Sequence, residues 1–145
     1  MYKLEAELMN DFKELLEEGQ TPLGRFTNLG DEFYFVTGRA DLLAIDTNGD
    51  LFAFEGKLTR WRTALHQAYR NLSFANYSYV VLPEKSAEQA ARYSRDFESR
   101  GIGLCSVGTD GMHCLIPARP EAEPLFPWLQ EKAFLFLEKE GLSYA

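Results

Sequence analysis

Three charged residues in the first half of this 145-residue chain have types and a spacing that could do chemistry: Asp41 and, with thirteen residues between, Glu55-Gly56-Lys57. Glu55 and Lys57 alternate with Gly56, so on a strand of period two both side chains leave the same face. If the chain folds back so that Asp41 lies directly across from Glu55, their β-carbons stand about 5 Å apart, which suits two carboxylates sharing one divalent cation. Mg²⁺ binds through one or two carboxylates and keeps several waters, leaving room for a backbone carbonyl such as that of Gly56 as a further ligand. A lysine beside that ion can orient or deprotonate the attacking water and counter the charge that grows on a phosphodiester in the transition state. The chemistry implied is hydrolytic phosphodiester cleavage. Taken singly, each residue has a plainer explanation: Asp41 opens a strand after a Gly38-Arg39-Ala40 turn, and Glu55 and Lys57 form a solvated pair at a strand end. Together, between apolar strands and ahead of a helix, they favour function.

The elements that must position these groups can be read from periodicity. Leu4, Leu8, Phe12, Leu15 and Leu16 recur at helical spacing through residues 1–18, and Glu5 falls inside that apolar stripe. Phe33–Thr37, Asp41–Ile45 and Leu51–Leu58 then read as strands. The second and third are joined by Asp46-Thr47-Asn48-Gly49-Asp50, and loop length sets their register. A two-residue Asn48-Gly49 turn pairs Asp41 with Gly56 and puts Asp41 and Glu55 on opposite faces. A three-residue loop with Gly49 in the left-handed position pairs Asp46 with Asp50, and so Asp41 with Glu55. The second register is the expected one. Leu43, Ile45, Leu51 and Ala53 then line one face and Leu42, Ala44, Phe52 and Phe54 the other, so the hairpin must be covered on both sides.

Residues 60–75 return to helical spacing through Trp61, Ala64, Leu65, Ala68 and Leu72, with Arg60, Gln67 and Asn71 as a polar strip beside that face. A strand from Tyr77 to Leu82, a helix capped by Ser86 and ending near Gly101, and a strand from Ile102 to Val107 follow. A hairpin through Gly108-Thr109-Asp110-Gly111 leads to Met112–Ile116, and a proline-rich stretch leads to a last helix over Pro127–Glu140. The order αβββαβαβ predicts a mixed α/β fold, with one domain over residues 1–145, a core over 1–107 and a C-terminal extension over 108–145.

Composition narrows the function classes. Fifteen Lys and Arg against 22 Asp and Glu give a net charge of −7, and 46% of residues are hydrophobic, so the chain has material for a core. No run approaches the ~18 apolar residues of a membrane span, and Met1-Tyr2-Lys3-Leu4-Glu5 lacks the features of a signal peptide. A cytoplasmic protein with reduced Cys105 and Cys114 is expected, and two cysteines alone cannot make a four-ligand zinc site. The acidic total hides a basic strip: between Gly56 and Pro83 there is no acidic residue, while Lys57, Arg60, Arg62 and Arg70 supply four positive charges that could hold nucleic-acid phosphates. His66 and His113 are isolated. Asp46, Asn48 and Asp50 lack the glycine and closing glutamate of a calcium loop, so they read as a turn. The last helix is apolar around nearly its whole circumference and is expected to be buried, under the sheet or against a second copy in a homodimer.

Asp41, the hairpin, Glu55-x-Lys57 and the following helix together resemble the PD-(D/E)xK nuclease superfamily, with its restriction-endonuclease-like αβββαβ core, over roughly residues 1–107. The resemblance implies that Asp41 and Glu55 hold Mg²⁺ or Mn²⁺, that Lys57 is the catalytic lysine, and that the substrate is nucleic acid, expected to be DNA. It also implies that Glu5 is the first-helix acidic residue some members add and Gln67 the polar residue many place on the helix after E-x-K. Without it, Glu5 is equally well a carboxylate favoured by a helix N-terminus, and Gln67 a surface residue. Ala40 departs from the motif, which has proline there, but leaves the Asp41 carboxylate in place. The superfamily also contains members without catalysis, so a non-catalytic nucleic-acid-binding or protein-interaction module of the same fold is the alternative. The small Holliday-junction resolvases are similar in size and core order, an analogy of fold alone.

Overall fold

The computed structural model describes residues 2–143, with side chains through residue 140. In chain order the elements are α1 (Glu5–Glu17), β1 (Phe26–Phe35), β2 (Gly38–Asp46), β3 (Leu51–Gly56), α2 (Trp61–Asn71), β4 (Tyr77–Pro83), α3 (Glu84–Ala91), α4 (Ser94–Glu98), β5 (Gly103–Gly108), β6 (Gly111–Ile116) and α5 (Pro127–Ser143). The strands form one sheet in the order β1-β2-β3-β4-β5-β6. Its centre, β3-β4-β5, is parallel and its flanks are antiparallel. Parallel neighbours need helical crossovers, which α2 and the α3–α4 pair supply. The fold is therefore the mixed α/β arrangement with flanking helices and a C-terminal hairpin and helix that the sequence implies.

Each sheet face has its own cover. On one, Leu8, Phe12 and Leu16 of α1 pack on Leu42, Ala44, Phe52, Phe54, Val81 and Cys105. On the other, α2, α3 and α4 cover Val80, Leu82 and Leu104, while Leu129, Ala133 and Leu137 of α5 cover Leu43, Leu51 and Ala53. Every residue of β3 is buried, which makes this strand the anchor of the fold. A side chain such as Phe54, fully buried and in edge contact with Phe12 at 4.9 Å, contributes roughly 1.5–3 kcal/mol by leaving water.

The hairpin has the three-residue loop. Ile45 pairs with Leu51 and Leu42 with Phe54, so the register continues to Asp46 opposite Asp50 and Asp41 opposite Glu55. The Asp46 N–H reaches the Asp50 carbonyl at 3.0 Å, and Gly49 takes the left-handed φ of +85° that a side chain would resist.

Several boundaries differ from the sequence reading. β1 begins at Phe26 because pairing with β2 carries it past the polar Thr27-Asn28 pair. The helix expected from Ser86 to Gly101 starts at Glu84 and breaks at Tyr93, whose φ of −110° and ψ of 39° leave the helical region. Ser86 is thus not the cap: its hydroxyl donates instead to the Leu58 carbonyl, tying the segment after β3 to α3. α5 is not buried all round either, for Trp128 and Leu135 are 51% and 57% exposed.

Candidate active site

The open end of the β2–β3 hairpin brings Asp41 and Glu55 together, on the face covered by α2. Each carboxylate is tied to the backbone of the facing strand: the Gly56 N–H donates to Asp41 Oδ2 at 2.9 Å, and the Asp41 N–H points at Glu55 Oε2 at 3.4 Å. Glu55 is 1% exposed and bonded by the buried Asn71, whose Nδ2 donates to Oε2 at 2.7 Å. Burial, and then the neighbouring Asp41 charge, push the Glu55 carboxyl up to about 8, against smaller opposing contributions from Asn71, the Asp41 backbone and Arg70. Gly56, between Glu55 and Lys57, sits under Met9 of α1: a β-carbon there would lie 2.3 Å from Met9 Sδ and displace that side chain. The glycine lets α1 close on β3 at the site.

β3 ends at Gly56, so Lys57 lies just past it, although its N–H still bonds the Val81 carbonyl at 3.2 Å. Its ammonium faces α1, with Nζ 3.7 Å from Glu5 Oε1, and both side chains keep contact with solvent. Glu5 and Lys57 therefore form a second charged pair at the same strand end, approached from the opposite side of the sheet to Asn71. Gln67 is half-buried on α2, one turn before Asn71. Among the described residues it is Asn71, not Gln67, that bonds Glu55.

Besides Asn71, two more residues outside the set expected from sequence belong to this cluster, Arg39 and Glu32. Arg39 donates to Asp41 Oδ1 at 2.9 Å and stands 3.5 Å from Glu32, and the bond to Asp41 is the main reason its own pKa rises. Glu32 has a φ of +55° inside β1, between the paired Asp31 and Phe33. A left-handed glutamate within a strand costs free energy, and such conformations concentrate at functional sites. Asn71 lies in the polar strip visible in the sequence, and Arg39 in the segment expected to be a turn, which is instead the start of β2, paired with Tyr34; no pattern there distinguishes either from a surface residue.

The basic strip is divided between two places. Arg60 is exposed at the start of α2, and the Arg62 guanidinium lies over Trp61 at 4.1 Å and over Tyr93 at 4.8 Å. Arg70, at the far end of α2, packs over Phe35 at 5.7 Å and against Gly38, where a β-carbon would meet its guanidinium at 2.3 Å. Its buried Nε has no hydrogen-bond partner, and the same holds for Asn71 Oδ1.

The donor set fits a hard divalent cation in part. Two carboxylates converge, and burial first, then the Asp41 charge, push the Glu55 carboxyl up, a conflict that a cation between them would relieve. Against this, Arg39 already occupies Asp41 Oδ1, and no group of three or more His, Cys, Asp or Glu able to hold a metal occurs among the described residues. Any further ligands are thus backbone oxygen or water, as Mg²⁺ accepts.

No protein-family model matches the chain, and no curated protein matches its sequence. Among solved structures, a protein of unknown function from Silicibacter pomeroyi is similar over 99% of this chain and 90% of its own, with a TM-score of 0.67 at 11% identity. That likeness is one of fold. A repair endonuclease from Pyrococcus abyssi aligns over 72% of this chain and 47% of its own, with a TM-score of 0.49 at 16% identity. No helix among the described residues is long and apolar enough to cross a membrane.

Proposed function

We propose that this chain is a metal-dependent nuclease that hydrolyses phosphodiester bonds in DNA. The observation that carries the reading is the convergence of Asp41 and Glu55, each carboxylate held by a backbone N–H of the facing strand, with the charged pair Lys57 and Glu5 at the same strand end. Asp41, Glu55 and the Gly56 carbonyl would hold Mg²⁺ or Mn²⁺. When bound, the ion supplies positive charge that polarises the phosphate and acidifies the attacking water. Lys57 adds a second positive charge for the developing phosphorane oxygens, and Glu5 keeps its ammonium at the strand end. Asn71 fixes the Glu55 carboxylate, while Arg70 offsets part of its buried charge. Arg60, Arg62 and Arg70 supply phosphate contacts, and Gln67 lines the same helix. Trp128 and Leu135, seven residues apart and both exposed on α5, form the face through which a second copy docks in a homodimer.

One observation favours a non-catalytic binding module instead: Arg39 on Asp41 and Asn71 on Glu55 give both carboxylates protein partners already. Cleavage of a labelled panel separates the two readings. Duplex, single-stranded, flap and four-way-junction DNA, and RNA, are incubated with the protein in Mn²⁺ or EDTA, beside Lys57→Ala. Metal-dependent cutting that is lost in the variant is the expected result and identifies the substrate. Binding of a panel member without cutting, unchanged by Mn²⁺, establishes the module.

A further inference from the structure

We propose that Cys105 and Cys114 are an oxidative modification site: a peroxide attacks Cys114, and Cys105 resolves the product to an intramolecular disulfide. The two residues are direct partners on the antiparallel strands β5 and β6. Directly opposed residues on such strands have Cα atoms about 4.5–5.5 Å apart, within the span a disulfide bridges, and their side chains leave the same face. Both thiols are free and enter the core beneath α1, Cys105 fully buried and Cys114 half-buried against it. A register shift between Leu104 and Cys105 gives β5 a local irregularity that can adjust as the sulfurs close.

Access is asymmetric in the way an attacking and a resolving thiol require. Cys114 lines a cavity of about 300 Å³ together with Tyr77, Tyr79, Phe52, Asp46 and Pro117, whereas Cys105 lies behind it. The thiol–thiol hydrogen bond, helped by the Tyr79 hydroxyl, lowers Cys114 to about 7 despite partial burial, while burial pushes Cys105 up. The half-exposed sulfur therefore has a substantial thiolate fraction at neutral pH and the buried one does not.

The chemistry balances with a peroxide as the named oxidant. The Cys114 thiolate attacks one peroxide oxygen; the S–O bond forms, the O–O bond breaks, and the departing hydroxide or alkoxide takes a proton from water. The Cys105 sulfur then attacks Cys114; the S–S bond forms, the S–O bond breaks, and water leaves with the Cys105 proton. Two thiols lose two electrons together, and the peroxide gains them.

The test is intact-mass spectrometry of the full chain after hydrogen peroxide, followed by N-ethylmaleimide under denaturing conditions. The expected product has lost two hydrogens and takes up no maleimide, and dithiothreitol restores both adducts. Cys114→Ser should retain an alkylatable Cys105 after peroxide, and Cys105→Ala should carry a sulfenic acid on Cys114 that dimedone traps. Two maleimide adducts on peroxide-treated wild type overturn the proposal, as does a disulfide joining two chains or a sulfinic acid on Cys114 beside a free Cys105. Should Cys105→Ala fail to fold, the wild type and Cys114→Ser decide the outcome alone.

Discussion

The β2–β3 hairpin carries a pair of carboxylates at each end, and the two ends are used differently. At the turn, Asp46 accepts the N–H groups of Asn48 at 3.0 Å and Asp50 at 2.9 Å, so every partner lies within four residues. That carboxylate makes the loop. At the open end, Asp41 and Glu55 draw partners from β2, β3 and α2, with Asn71 reaching Glu55 across sixteen residues of sequence. Those partners hold a buried charge conflict in place without removing it, since burial and the Asp41 charge still push Glu55 up to about 8. A charge conflict alone does not separate the two ends, since burial and the Asp46 charge raise Asp50 as well; what separates them is that the open-end acids are held by elements distant in sequence.

The comparison can be broken most forcefully at Asp41. Asp41→Ala should lower metal-dependent cleavage by about 10²–10³-fold, the scale of losing one preorganised charge from a site, while Asp46→Ala leaves the rate within a factor of a few. Equal losses in a single-turnover assay would erase the distinction between the ends. The pH dependence of stability comes next. Glu55 at about 8 in the fold lies above the ordinary 4.5, so the folded chain holds that proton more tightly than the unfolded chain does. Its contribution is full below pH 4.5, declines as the pH rises toward 8 and is constant above. Urea denaturation of the metal-free protein should show this decline, Glu55→Gln should flatten it, and Mn²⁺ should stabilise more at pH 8 than at pH 5.

Smaller effects sharpen the contrast. Asn71→Ala should cost on the order of 1–3 kcal/mol in urea denaturation at pH 7, because it strips a buried carboxyl of its partner. Asp46→Ala should cost roughly 1 kcal/mol, the net worth of hydrogen bonds local to the turn, with no change in metal binding.

Much of this was legible in the sequence because it was local. Asp46-Thr47-Asn48-Gly49-Asp50 sets the loop length, the loop sets the register, and period two then carries Asp41 to Glu55. The apolar residues on both faces of the hairpin require cover on both sides, which α1 and the α2–α5 layer provide. What could not be read depended on packing. The strip Arg60, Gln67 and Asn71 was visible, but which member turns inward depends on how α2 crosses the sheet. Glu32 takes its left-handed φ in the strand paired with β2, and Arg39 bonds Asp41 only in the assembled hairpin. Alternation puts Lys57 on the Glu55 face, yet β3 ends one residue earlier and the ammonium turns to the other side of the sheet, to Glu5 on α1. Tyr93 breaks its helix where its ring stacks on Trp61 at 5.2 Å, a contact between elements that are distant in sequence.

The central claim is that the open end of the hairpin is a cation site which Arg39 partly guards. Isothermal titration of Mn²⁺ into wild type, Asp41→Ala and Arg39→Ala tests it directly. One site in the wild type, lost in Asp41→Ala and tightened in Arg39→Ala, is the expected result. No binding to the wild type or to Arg39→Ala would contradict the account and leave Asp41 and Glu55 as parts of a purely structural network.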